Sequence, residues 1–149
     1  MKKICLLILS LLLVPTVYSQ SNDITMRPIL EAAGQWVNYI EGELDQEIVR
    51  MEYDIISTSK NTFRTLTDDF TYGILAFGDY RIKDINIKLY KLVNNRWEYV
   101  QCDNSSDSAG FIYIKPETTS EYKIVISAQS FTSGHNIGHY GLIIFHELP

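Results

Sequence analysis

Three histidines stand near the C-terminus, at His135, His139 and His146. His135 and His139 have the i, i+4 spacing that on a helix turns two imidazoles to one side as metal ligands. Gly134 and Gly138 make a helix improbable there, and no glutamate follows His135. The segment reads instead as a loop entering a strand, where the two rings need not converge, so surface or loop histidines are expected. Ser133-Gly134-His135 sets a hydroxyl near an imidazole. It lacks the Gly-x-Ser-x-Gly elbow that presents a serine as nucleophile. No glycine-rich phosphate loop is present. Asp79 and Asp84 flank one loop and are the candidates for calcium, an ion that gathers about six to eight oxygens. Turn capping by Asp side chains is the alternative. Otherwise no catalytic set, metal or cofactor is expected.

Aromatic residues are the surplus: 10 Tyr, 6 Phe and 2 Trp. Trp97 and Tyr99 share a strand face, and so do Phe111 and Tyr113. Core packing is the expectation for most aromatics of a sandwich. Tyr90 falls with Lys88 on the polar face of its strand and is expected outside. Tyr90, Trp97 and Tyr99 are the ligand-binding candidates, as an aromatic platform for sugar rings or a peptide. Arg81 to Arg96 carries five basic residues against Asp84 alone. Such a stretch suits an anionic polysaccharide or acidic partner, or is a solvated strand face.

The chain has 149 residues, 13 basic and 18 acidic, for a net charge of −5. That length is most simply one domain, and the acidic balance argues against a nucleic-acid partner. Lys2 and Lys3, the apolar run from Ile4 to Val14, Pro15, and Val17-Tyr18-Ser19 have the three parts of a secretory signal. The apolar run is shorter than the roughly 20 residues of a spanning helix, so an integral membrane protein is not expected. Cleavage after Ser19 would leave residues 20–149 as one domain, secreted or periplasmic. That domain has 11 basic and 18 acidic residues, a charge of −7. Cys102 would be its single cysteine, expected as a buried thiol.

Ile29, Leu30, Ala33, Trp36, Val37 and Ile40 recur at helical spacing, with Pro28 in the first turn and Gly42 as the stop. This predicts one amphipathic helix, about 28–41. From about residue 47 the period changes to two. Val49, Met51, Tyr53 and Ile55 alternate with Arg50, Glu52 and Asp54, a strand with one wet face. Further strands are expected at 62–67, 72–77, 84–92, 96–100, 110–115, 122–128 and 140–147. Asn94-Asn95 is a turn signal between two of them. About eight strands with turns between them, and one helix, favour an antiparallel β-sandwich over a parallel sheet. The helix is expected across an end or an open face of it.

Over about residues 72–145 the order of motifs resembles the bacterial pre-peptidase C-terminal domain, a small jelly-roll-like β-sandwich. Asp84-Ile85-Asn86-Ile87-Lys88-Leu89-Tyr90 is similar to that family's strand from Asp to Leu-Tyr. Ile112-Tyr113-Ile114-Lys115-Pro116, followed by Tyr122-Lys123-Ile124-Val125-Ile126, is similar to its Pro-turn hairpin. Gly138-His139-Tyr140-Gly141-Leu142 is similar to its closing strand. The resemblance implies a binding or accessory module without a catalytic centre, acting on an extracytoplasmic protein or glycan. The alternatives are a carbohydrate-binding module using exposed aromatics, or a small inhibitor or hydrolase.

Overall fold

The structure is a computed structural model and describes residues 25–147. The secretory signal and its cleavage after Ser19 lie outside the described residues. One helix, α1 (Arg27–Val37), runs into a π-helical turn, Asn38–Glu43. Eight strands follow: β1 (Gln46–Ile56), β2 (Ser59–Leu66), β3 (Tyr72–Gly78), β4 (Ile82–Val93), β5 (Arg96–Asp103), β6 (Ala109–Ile114), β7 (Ser120–Phe131) and β8 (Gly138–Glu147). They form two antiparallel four-stranded sheets, ordered β1-β8-β3-β6 and β2-β7-β4-β5. This is the jelly-roll order, and the expected mainly-β sandwich with one N-terminal helix is what the chain forms.

The inner core lies between the sheets. Ile85, Ile87 and Leu89 of β4 and Tyr122, Ile124 and Ile126 of β7 meet Ile74, Ala76, Leu142 and Ile144. Alternation along β4 and β7 therefore reports one buried and one wet face. Strands β3 and β8 differ, being buried along almost their whole length. Their second face carries Leu75, Phe77, Ile143 and Phe145, and the helix covers it with Ile29, Ala33 and Ile40. The helix thus lies on an open sheet face, making a third layer.

Two cross-strand pairs make that layer possible. Gly73 stands opposite Phe145, and Phe77 opposite Gly141. Each phenylalanine ring occupies the space where its glycine partner would carry a Cβ. The rings therefore lie flat on the sheet, low enough for the helix to pass above.

Three local expectations need correction. Leu30 is 50% exposed, so it does not join the helix's buried stripe. The helix continues past Gly42, and Asp45, with φ 52°, is where the chain turns. A bulge at Val49 changes the phase of β1, so Ile48 rather than Val49 joins Met51 and Tyr53 under the helix. The Asn94-Asn95 turn is as expected, with φ of 49° and 61°, the conformation a two-residue hairpin needs.

The polar side of β1 is not simply wet. Glu52 accepts hydrogen bonds from Arg50 and Arg64, and Asp54 pairs with Lys60 at 2.6 Å. Arg64 and Lys60 belong to β2, so these partners join the edge strands of the two sheets. Part exposure limits each pair to about 0–1 kcal/mol. Inward charge at the edges also opposes pairing with another chain.

The glycine pairs give a direct contrast. Gly141→Ala forces the Phe77 ring to move and is expected to cost about 1–3 kcal/mol. Gly34→Ala, with open space in a helix, should stabilise by about 0.5–1 kcal/mol. Urea unfolding of both variants checks this; equal effects would contradict the packing described.

Candidate functional site

The concave surface lies where the helix stops covering the sheet. A groove of about 570 Å³ opens between the C-terminal part of the helix and β6. Leu75 and Phe145 form its floor, Trp36 and Tyr39 one wall, Phe111 and Tyr113 the other. Phe111 and Tyr113 are 36% and 40% exposed, and Tyr39 42%. They project from the outer side of the sheet because β6 alternates, sending Ile112 into the inner core. Within each wall the rings stand nearly perpendicular, Trp36 and Tyr39 at 74° and Phe111 and Tyr113 at 79°. Such edge-to-face pairs hold their rings in fixed orientation.

Asp103, the last residue of β5, and Asp107, in the loop between β5 and β6, stand on the rim. Asp103 accepts hydrogen bonds from the Ser105 N–H and hydroxyl and from the Phe111 N–H at 2.7 Å. Burial pushes its carboxyl up, but these donors outweigh that and hold it below the ordinary range. The Phe111 bond also caps a backbone donor on β6, the edge strand of its sheet. Asp107 accepts from the Ala109 N–H at 3.0 Å. The same loop bonds to both sheets, Gly78 N–H to Ser108 O and Ile85 N–H to Asp107 O, each 2.9 Å.

The sequence-derived candidates Tyr90, Trp97 and Tyr99 meet elsewhere, on the outer face of the β2-β7-β4-β5 sheet. Phe63, Lys123, Tyr90 and Tyr99 form one row across all four strands. At a usual strand spacing, the row is about 14 Å wide. The Trp97 ring reaches back across the face to Phe63, with centroids 5.5 Å apart. The Lys123 ammonium sits 4.6 Å from the Tyr90 ring and 5.1 Å from that of Trp97. Tyr99 is 59% exposed, whereas Tyr90 is half-buried beside Lys123.

Asp79 and Asp84 have separate surroundings. Asp79 is buried, and its carboxylate accepts hydrogen bonds from the Arg81 guanidinium, the Arg81 N–H and the His139 N–H. Asp84 takes no part in that cluster and is only partly buried, on β4. Among the described residues, no group of three or more His, Cys, Asp or Glu converges as metal ligands do. Arg81 also donates to Nδ1 of His139 at 3.1 Å, so that nitrogen is an acceptor. Arg81 thus belongs to a buried pair and not to an exposed basic patch. His139 is buried and His135 is exposed against Tyr80, so the i, i+4 pair does not converge. His146 stacks on Phe70 at 4.1 Å. His139 is not the surface histidine expected, because β8 is buried on both faces, and His146 is buried with it. Cys102 is only partly buried.

No protein-family profile matches the chain, and no curated protein does. Its structure is similar to the pre-peptidase C-terminal domain of a collagenase from Bacillus anthracis. The TM-score is 0.51 at 8% identity, over 64% of this chain and 87% of that one. The likeness is one of fold, and the chain is a β-sandwich of that kind. Among the described residues, no helix is long and apolar enough to cross a membrane.

Burial alone would raise the Asp79 carboxyl; the Arg81 and His139 hydrogen bonds outweigh it and hold its pKa below the ordinary 3.8. The stability it contributes is therefore present above the unfolded-state pKa and is lost as pH falls through the folded value. Asp79→Asn should unfold more easily at pH 7 by about 3–5 kcal/mol, the cost of breaking a buried pair. Its stability should also fall less steeply than wild type below about pH 4. Denaturant titrations from neutral to acid pH measure both, and parallel curves would rule out the pair's role.

Proposed function

We propose that this chain is a non-catalytic binding module that acts outside the cytoplasm and seats its ligand in the groove between the helix and β6. The groove carries the reading. It is concave, lined mainly by aromatic and aliphatic side chains, and has a few polar groups at its rim, the usual composition of a ligand site. The N-terminal segment has the pattern of an export signal, and a similar fold forms the pre-peptidase C-terminal domain of a collagenase from Bacillus anthracis. Buried Asp79, Arg81 and His139 are engaged with one another. That supports a structural rather than catalytic use of these groups.

A second reading, glycan binding on the opposite sheet, is favoured by the meeting of Tyr90, Trp97 and Tyr99 on one face. Flat aromatic rows suit sugar rings, but the Trp97 ring already packs on Phe63 and Lys123. The groove is concave, and Tyr39, Phe111 and Tyr113 keep part of their surface in solvent.

One experiment separates these readings. Melting temperature is measured for residues 20–149 across a panel of glycans, peptides and small organic solutes. A groove ligand at about 100 times its Kd adds roughly 2.7 kcal/mol of stability, and Phe111→Ala should remove that gain while Trp97→Ala keeps it. The reverse pattern would move the site to the other sheet. Turnover of a panel member would contradict a non-catalytic role.

A further inference from the structure

The groove's charge and its supply of hydrogen-bond acceptors narrow its ligand further. Two carboxylates stand on its rim, and no Lys, Arg or His lines it. A negative rim over aromatic faces disfavours an anion, and ring faces attract a cation through their quadrupole. Four rings line it, in two nearly perpendicular pairs, with Phe111 also stacked on Phe145 and Trp36 packed beside Phe77.

The kind of cation follows from the acceptors. Three of the four rim carboxylate oxygens already accept bonds from the chain itself: both of Asp103 and Oδ1 of Asp107. A primary ammonium brings three N–H donors and a guanidinium five. Oδ2 of Asp107 is the one rim carboxylate oxygen left without such a bond, fewer acceptors than either group needs on leaving water. A quaternary ammonium has no N–H to satisfy, and its methyl groups suit ring faces. Attraction to the carboxylates then acts through charge alone. The site is a groove rather than a closed cavity, so the remainder of the ligand stays in water.

We propose that this groove binds a small quaternary ammonium compound, held by the Trp36, Tyr39, Phe111 and Tyr113 rings and attracted by Asp103 and Asp107. The assignment rests on the groove being the ligand site, and it adds the charge and the absence of donors. Choline is the probe, and 3,3-dimethyl-1-butanol, which replaces its nitrogen by carbon, is the neutral control. Trp97→Phe leaves Trp36 as the single tryptophan, so emission reports the groove. Choline should change that emission saturably and bind about tenfold or more tightly than the neutral control. Asp107→Asn should weaken choline severalfold and leave the neutral control unchanged. Calorimetric titration of choline into the unsubstituted chain guards against a fault of the Trp97→Phe variant. Equal binding of choline and its neutral control would overturn the charge assignment and leave the groove as a ligand site. No saturable response to choline in either measurement would overturn the assignment as well. In that case the melting-temperature panel decides separately whether the groove binds anything.

Discussion

The structure depends on one constraint: the central strands β3 and β8 are apolar on both faces. A strand of that kind must be covered twice. The second sheet covers the inner face, bringing β4 and β7 against Ile74, Ala76, Leu142 and Ile144. The helix covers the outer face, over Leu75, Phe77, Ile143 and Phe145. An α-helix of 11 residues is about 16 Å long, and its single apolar stripe cannot roof a four-stranded sheet. The π-helical turn extends the cover toward β1, with Ile40 buried and Leu44 beside it. The part over β6 stays open, where Phe111 and Tyr113 reach solvent. The groove is what remains when a doubly apolar sheet is covered by one short helix.

Charge in this protein is placed to hold the sandwich shut. The Asp79–Arg81–His139 cluster ties the loop between β3 and β4 to the start of β8. Its loss leaves a buried charge unmatched, which is why a buried pair costs more to break than it contributes when whole. At the opposite end of the scale, the Glu52–Arg64 and Asp54–Lys60 pairs lie at the joined sheet edges and are partly in water. Their role is to make the edges unattractive to other strands as much as to add stability. Neither set faces the groove. The groove's own carboxylates are held by nearby backbone and serine donors, which fixes their direction.

Much of this was legible in the residue pattern. Period-two alternation located the strands with one wet face, β-favouring runs between turn residues located the others, and the helical stripe located the helix. The unbroken apolar run from Gly141 to Phe145 carried the sign of a doubly buried strand. What escaped was information held between elements. The bulge at Val49 shifts the face of β1 through a register that depends on β8. The Asp79–Arg81 contact looks in sequence like one more loop aspartate beside a basic stretch. The groove depends on how far the helix reaches across the sheet, and no local pattern encodes that. Its one sequence signal was the shared face of Phe111 and Tyr113. The likeness to the pre-peptidase C-terminal fold pointed to the correct sandwich, but fold alone does not say which face is used.

The most direct test of the groove as the ligand site is proton–proton contact by NMR between a bound panel member and the aromatic rings. Contacts to Trp36, Tyr39, Phe111 and Tyr113 are the expected result. Contacts to Trp97 and Tyr99 in their place would contradict it and put the ligand on the opposite sheet.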